Sequence, residues 1–320
     1  MKRLNGTCKL GAKFGAAFLV TSLLVVLATT TVSASPQTSS TIKYMGIRHA
    51  AARTAGTKLV YQGGSVETAP KVYISWWGSQ WSTGFSTGGF SSKTAQTYIT
   101  GFFSNVGGSK WDNIDTQYCQ GVAIGSTSCS GGTHITNPTG QLAGTWVDTT
   151  SVPTSPTQSQ IQSAASRLMS HFGGYNANAT YFVFTPHGHS MSGFGTSWCA
   201  WHDEPLSGTT MAYAYMPYIP DAGSSCGMNF VNGSNDSYGN GYFDGFSIVG
   251  GHEYAEAVTD PHPERTSNSF GWITSTGSSG QEIGDLCAWA SNSTNITLGS
   301  HYYATQPLYS NASSSCVNSY

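Results

Sequence analysis

The sequence predicts an α+β fold, and three observations carry that expectation. β-Branched and aromatic runs interleave with segments of helical period, without a strict βαβ rhythm. Six cysteines lie beyond residue 34, each neighbouring pair bracketing a Gly/Ser/Asn-rich loop. His252, Glu253 and Glu256 share one helical stretch that Pro261 brings to an end. The expected architecture is a mixed sheet packed on helices, including this motif helix, with disulfide-tied loops.

The elements follow in order. Residues 1–34 read as a secretory signal peptide: Lys2, Arg3, Lys9 and Lys13, an apolar run from Phe14 to Ala28, then Val32-Ser33-Ala34 as the cleavage site. An uncleaved anchor is the weaker alternative, because Gly15, Thr21 and Ser22 interrupt a run already short for a span. Residues 35–65 lack periodicity and read as an irregular, propeptide-like arm. Lys71 to Trp77 is β-branched and aromatic, hence a strand. A Gly/Ser/Thr loop follows to Gly89. Ser92 to Val106 then places Ala95, Tyr98, Ile99, Phe102 and Phe103 at helical spacing, and Gly107-Gly108 stops it. Trp111 to Thr149 reads as irregular or β structure with one disulfide loop. Thr157 caps a helix whose inner face is Ile161, Ala164, Ala165, Leu168, Met169 and Phe172. Tyr181 to Thr185 and Met211 to Met216 are strands of the buried type, and Asn232 to Gly241 is a loop. Asp244 then caps a helix over about Gly245 to Val258. Residues 66–320 thus form one domain, with two lobes (66–150 and 157–320) as the alternative division.

Composition narrows the partners. Loss of the leader removes four basic residues and no acidic ones, leaving nine against fifteen, a net charge of −6. That balance argues against nucleic acid and against a stable hold on an anionic membrane. Charged residues are only 9% of the chain, so Ser, Thr, Gly and Asn must cover the surface, as suits an acidic extracellular setting. Cysteines 119, 129, 199, 226, 287 and 316 form an even set after export and favour disulfides. Neighbour pairing is expected, Cys119 with Cys129, Cys199 with Cys226 and Cys287 with Cys316. No C-x-x-C spacing supports a thiolate metal site.

The chemistry concentrates in the stretch from Gly250 to Pro261. At 3.6 residues per turn, His252 and Glu256 lie one above the other, and Glu253 one step round reaches a ligand bound by that pair. This resembles the H-E-x-x-H metallopeptidase helix, with glutamate in place of the second histidine. Catalytic zinc takes three protein ligands and a water. His252 and Glu256 supply two, and Glu253 is the expected general base. For the third, Asp260 and Glu282 rank first. Asp285 and His262 follow; His262 has the metzincin spacing but comes after Pro261, with Thr259 where a metzincin has glycine. A plain helix-surface pair with Asp260 capping the next turn is the structural alternative. Excess carboxylate favours calcium, whereas His252 favours zinc. Paired carboxylates acting without metal are a further reading. A second histidine group, His187, His189 and His202, forms its own three-histidine site or lends His187 or His202 to the helix motif. No G-x-S-x-G elbow and no phosphate loop is present. The aromatic set of Trp76, Trp77, Trp81, Trp198, Trp201, Tyr213, Tyr215 and Tyr218 reads as core, with a sugar- or peptide-binding groove as the alternative.

Several of these motifs together resemble the secreted phosphate-induced, EXORDIUM-like proteins. They are the tryptophan strand, the helix from Ser92, Trp111, Tyr181 to Pro186, Cys199-Ala200-Trp201-His202, His252-Glu253 through Asp260-Pro261, and Glu282-Ile283-Gly284-Asp285-Leu286-Cys287. The last two are the specific ones, and the match spans most of the chain beyond the leader. The resemblance implies a secreted, disulfide-containing protein of the cell surface or wall, and little chemistry. The motif helix itself looks zincin-like and implies a zincin-like fold.

The expectation is therefore a secreted, zincin-like metallopeptidase using a metal-activated water on a peptide or cell-wall polymer. One alternative is a non-catalytic cell-wall protein with a structural or calcium-binding acidic cluster. The other is a metal-free acid hydrolase.

Overall fold

The computed structural model describes residues 43–48, 57–205, 210–263, 270–274 and 280–320. The expected signal peptide lies outside them. The described chain belongs to one compact unit, Ser40–Tyr320, built around a mixed sheet of six strands. These are β1 (Lys43–Gly46), β2 (Lys71–Trp77), β3 (Leu142–Asp148), β4 (Ala179–Phe184), β5 (Trp198–Asp203) and β6 (Ala212–Met216). The spatial order is β1-β5-β6-β4-β2-β3. Strands β3, β2, β4 and β6 run parallel, and β5 is antiparallel to both β6 and β1. Because β2 and β3 share the sheet with β4 to β6, the division into lobes at 150–157 is not seen.

Helices cover both faces, and the period-2 alternation of each strand decides which side chain meets which helix. Val72, Ile74, Trp76, Phe182, Phe184, Ala214 and Met216 pack on one side with helices α1 (Ser92–Asn105) and α3 (Asp244–Thr259). Trp77, Tyr181, Val183, Tyr213 and Tyr215 face the other side, against helix α2 (Gln158–His171). Strands covered on both faces read as continuous apolar runs, and β4 and β6 are buried at every position. Helix α1 starts at Ser91, whose hydroxyl accepts from the Thr94 N–H at 3.1 Å. Helix α2 starts with a capping box between Thr157 and Gln160 and buries Ile161, Ala164, Ala165 and Leu168, one amphipathic stripe.

Helix α3 differs from both. All of its residues are buried, the mark of a core helix rather than a surface one. The sheet lies on one side. A hairpin of Thr294–Leu298 and His301–Thr305 lies on another, tied in by Ser247 Oγ donating to the Ala304 carbonyl at 2.7 Å. Asp244 is not the cap expected from the sequence. It is the first helical residue, and its carboxylate accepts from the N–H groups of Asn232 (2.7 Å), Gly241 (2.8 Å) and Val231 (3.1 Å). Gly245 is required by space, since a Cβ there would stand 2.1 Å from the Cys226 carbonyl. At the other end Asp260 leaves the helix with φ −147°, as the residue before a proline must.

Several further expectations are corrected. The arm of residues 35–65 is not irregular throughout: Lys43–Gly46 joins the sheet, and Val60–Tyr61 pairs with Trp272–Ile273. The Gly78–Gly89 loop contains a helical turn, Gln80–Thr83, and a small hairpin. The aromatic set of Trp76, Trp77, Trp81, Trp198, Trp201, Tyr213, Tyr215 and Tyr218 is core, as expected, and only the alternative of a groove is corrected. The cysteines, by contrast, form the three disulfides expected, 119–129, 199–226 and 287–316. Among the described residues no helix is long and apolar enough to cross a membrane.

Candidate metal centre

Three segments meet beneath the sheet. Helix α3 brings His252, Glu253 and Glu256. Strand β5 brings His202, because Ala200 and Trp201 face opposite sides and period 2 turns residue 202 toward α3. The segment Glu282–Cys287 brings Glu282 and Asp285, held by the Cys287–Cys316 disulfide and by the Tyr309 N–H donating to the Ile283 carbonyl at 3.1 Å. Gly284 is the point of closest approach: a Cβ there would lie 2.6 Å from His252 Nδ1 and 2.9 Å from Glu256 Oε1. Any side chain there would displace His252 or Glu256.

Two sets of ligating atoms result, each within 4.8 Å of one another. One is His252, Glu256 and Asp285; the other is His202, Glu256 and Glu282. His252 Nε2 lies 3.0 Å from Glu256 Oε1 and 3.7 Å from Asp285 Oδ1. His202 Nδ1 lies 3.3 Å from Glu253 Oε2 and 3.7 Å from Glu256 Oε2, and its Nε2 lies 3.5 Å from Glu282 Oε1. The Asp285 N–H donates to Glu256 Oε1 at 2.9 Å.

Each imidazole lies against a carbonyl oxygen, which places hydrogen on that nitrogen of the ring. His252 Nδ1 is 3.2 Å from Gln306 Oε1, and the Gln306 amide is oriented by its Nε2 donating to the Gly284 carbonyl at 2.8 Å. His202 Nε2 is 3.2 Å from the Asp260 carbonyl. A carbonyl only accepts, so each of these nitrogens carries hydrogen. The opposite nitrogens, His252 Nε2 and His202 Nδ1, face carboxylates, and His202 Nε2 has Glu282 Oε1 beside it as well, at 3.5 Å. This is the support that metal-ligating histidines ordinarily have.

Without an ion the cluster is held by protons. Burial disfavours the charged His252 ring, but Glu256, Glu253 and Asp285 outweigh it and push the imidazole up to about 10. His202 is likewise opposed by burial and raised well above its ordinary value by Glu282, Glu253 and Glu256. Burial, then Asp285, pushes Glu256 up to about 8. Glu253 Oε1 is buried without a hydrogen-bond partner. A buried polar oxygen of this kind is costly unless something fills its vacancy. Two imidazoles and several hard oxygens form a donor set that fits zinc or a similar divalent ion.

The other sequence candidates lie elsewhere. Asp260, ranked first as third ligand, accepts the Gly271 N–H on Oδ1 at 2.8 Å and serves the centre through its backbone carbonyl. Asp285, ranked below it, sits in a ligand set instead. His262 Nδ1 is 3.3 Å from Glu204 Oε2, turned away by Pro261. His187 pairs with Asp221 at the surface, and His189 lies against Gln80 and the Pro153 carbonyl, so no three-histidine site forms. Sequence reasoning missed Gln306, which no motif marks. It also missed Glu67, a fully buried carboxyl bonded to Thr180 and pushed up to about 8, by burial first.

Comparison with known proteins adds no relative: the chain matches no protein-family model, no curated protein and no solved structure.

Proposed function

We propose that this chain is a secreted metal-dependent hydrolase of zincin-like character that cuts peptides, with His252, Glu256 and Asp285 holding zinc and Glu253 acting as general base. The carrying observation is the His252 imidazole, with Nδ1 against the Gln306 side-chain carbonyl and Nε2 aimed at Glu256 and Asp285, and with a second buried imidazole, His202, among carboxylates beside it. Hydrogen-bonded helix-surface pairs do not need that arrangement; ligands do. When bound, zinc supplies a Lewis acid and a water of pKa about 7. Glu253, one step round the helix from His252, accepts the proton of the attacking water and returns it to the leaving amine. His202, 3.3 Å from Glu253, orients that carboxylate.

Peptide is favoured over other substrates by β1. This strand lies antiparallel along β5, with Lys43 opposite His202. β1 is thus the edge strand of the sheet, and an extended peptide backbone pairs with the outer side of such a strand by strand addition. Three disulfides agree with an oxidising, extracellular compartment. Membership of the EXORDIUM-like proteins is part of the same proposal and would place the activity at the cell surface or wall.

One observation favours a second reading, a structural metal site without catalysis. His202, Glu253 and Glu282 have no solvent exposure, and only Asp285, 25% exposed at its side chain, opens the cluster to solvent. Metal analysis with a peptidase assay of wild type and Glu253→Gln separates the two. Bound zinc with activity abolished by the substitution supports hydrolysis. Bound metal with no activity in the wild type establishes the structural reading, and absence of metal sinks both.

A further inference from the structure

We infer that the centre holds two divalent cations rather than one, bridged by the Glu256 carboxylate. This rests on the metal site proposed above and goes beyond it in stoichiometry and in the roles of His202 and Glu282.

The two oxygens of Glu256 serve different partners. Oε1 faces His252 and Asp285, whereas Oε2 faces His202. The histidines fall in separate ligand sets that share only Glu256. Donors on one zinc ion, each about 2.0–2.2 Å from it, span no more than about 4.4 Å. A single ion thus uses one set and leaves the other imidazole facing carboxylates with nothing between. A carboxylate bridge between ions about 3.5–4 Å apart is the recurring geometry of two-metal hydrolases.

Charge points the same way. Four carboxylates touch the two imidazoles: Glu253, Glu256, Glu282 and Asp285. With neutral rings they carry four negative charges into a fully or mostly buried volume. One dication offsets half of that and two offset all of it. Unpaired buried charge is heavily penalised. Glu253, whose Oε2 lies against His202, has its other oxygen buried without a hydrogen-bond partner, a second indication that the cluster lacks positive charge. His252, Glu256 and Asp285 then form the ion site nearer solvent, through Asp285. His202, Glu256 and Glu282 form the enclosed one, which Asp260 supports through its carbonyl.

The test is metal content after saturation of the full-length secreted protein with zinc and removal of free ion, read by mass spectrometry. Two equivalents per chain are expected. His252→Asn or Asp285→Asn should leave one, and His202→Asn or Glu282→Gln should also leave one. Because these buried substitutions can impair folding, electron paramagnetic resonance of the manganese-loaded wild type provides a measurement without mutation. An exchange-coupled pair is expected, and an isolated-ion spectrum contradicts the inference. One equivalent in the wild type overturns the two-ion centre while leaving the single-site hydrolase intact. No bound metal overturns both. Two equivalents that none of the four substitutions lowers place the second ion elsewhere and also overturn it.

Discussion

Helix α3 touches two buried acid clusters, and they are built differently. On the side of His252, carboxylates from α3 and from the segment before Cys287 surround two imidazoles. On the side of Tyr254, two residues on and about 200° round the helix, Asp112 and Asp115 lie buried with no imidazole. There Gln141 Nε2 donates to Asp112 Oδ2 at 2.8 Å, and the Tyr254 hydroxyl donates to Gln141 Oε1. Neither oxygen of Asp115 has a hydrogen-bond partner. Burial pushes Asp112 up to about 7, and burial with the neighbouring Asp112 raises Asp115 well above the carboxylate range. Both clusters hold protons, but only the first also offers imidazole donors to a cation. The lesson is that buried acid alone carries no metal proposal; it is the imidazoles among the carboxylates that do.

Substitution separates the clusters most strongly in catalysis. Glu253→Gln is expected to cut peptidase turnover by about 10²–10⁴-fold while zinc content stays at the wild-type level. Asp115→Asn should leave turnover within a few-fold of wild type. Equal losses in a steady-state assay would erase the distinction drawn between the two sides of α3.

Metal removal comes next. An ion that binds only the folded state stabilises it by about 4 kcal/mol when present at a thousand times its Kd. Chelation should therefore lower the melting temperature of the wild type and of Asp115→Asn alike. It should leave His252→Asn/His202→Asn unaffected. A chelator response that survives in the double variant would place the stabilising ion elsewhere.

The second cluster is broken by pH. Unfolded aspartates titrate near pH 3.9, below the folded values of Asp112 and Asp115. Between about pH 4 and pH 7 the folded protein therefore holds protons that the unfolded chain has released. Stability is full below about pH 4 and declines as pH rises, by about 1.4 kcal/mol per pH unit for each such proton. Asn at 115 needs no proton, so Asp115→Asn should flatten this decline and raise stability at pH 7. Urea unfolding of the chelated protein at pH 4, 5.5 and 7 measures it. A wild type that grows more stable with rising pH would contradict the proton-held reading.

How far the sequence reaches is visible residue by residue. His252, Glu253 and Glu256 are legible because i, i+4 spacing on a helix is local geometry. The segment Glu282–Asp285 is legible as a partner through the acidic run beside Cys287. The order of third ligands is not, because it depends on the path after Pro261: Asp260 turns its carboxylate to Gly271, and Asp285 returns to Glu256. His202 is legible as a candidate to join the helix motif, but its facing is not: β5 reads Trp-Cys-Ala-Trp-His-Asp, buried at every position, so no alternation shows which way it points. Gln306 is invisible for a similar reason. Its role comes from the Trp111 indole donating to its carbonyl at 2.8 Å, a contact across 195 positions of sequence.

That glutamine gives the smallest and most specific prediction. Gln306→Leu removes the acceptor that fixes His252 Nδ1–H but no ligand. Zinc affinity should fall about 10–100-fold, as is usual when such support is lost, with the fold intact by circular dichroism. Unchanged affinity in a competitive titration would show that the ring needs no such hold.

The central claim is that α3, β5 and the segment before Cys287 converge on a cation. Anomalous diffraction at the zinc edge, from crystals of the zinc-loaded protein, tests it most directly. The account predicts density in contact with His252 Nε2, Glu256 and Asp285. Zinc-loaded crystals with no anomalous peak at the centre, and with His252 still in direct contact with Glu256, would contradict it.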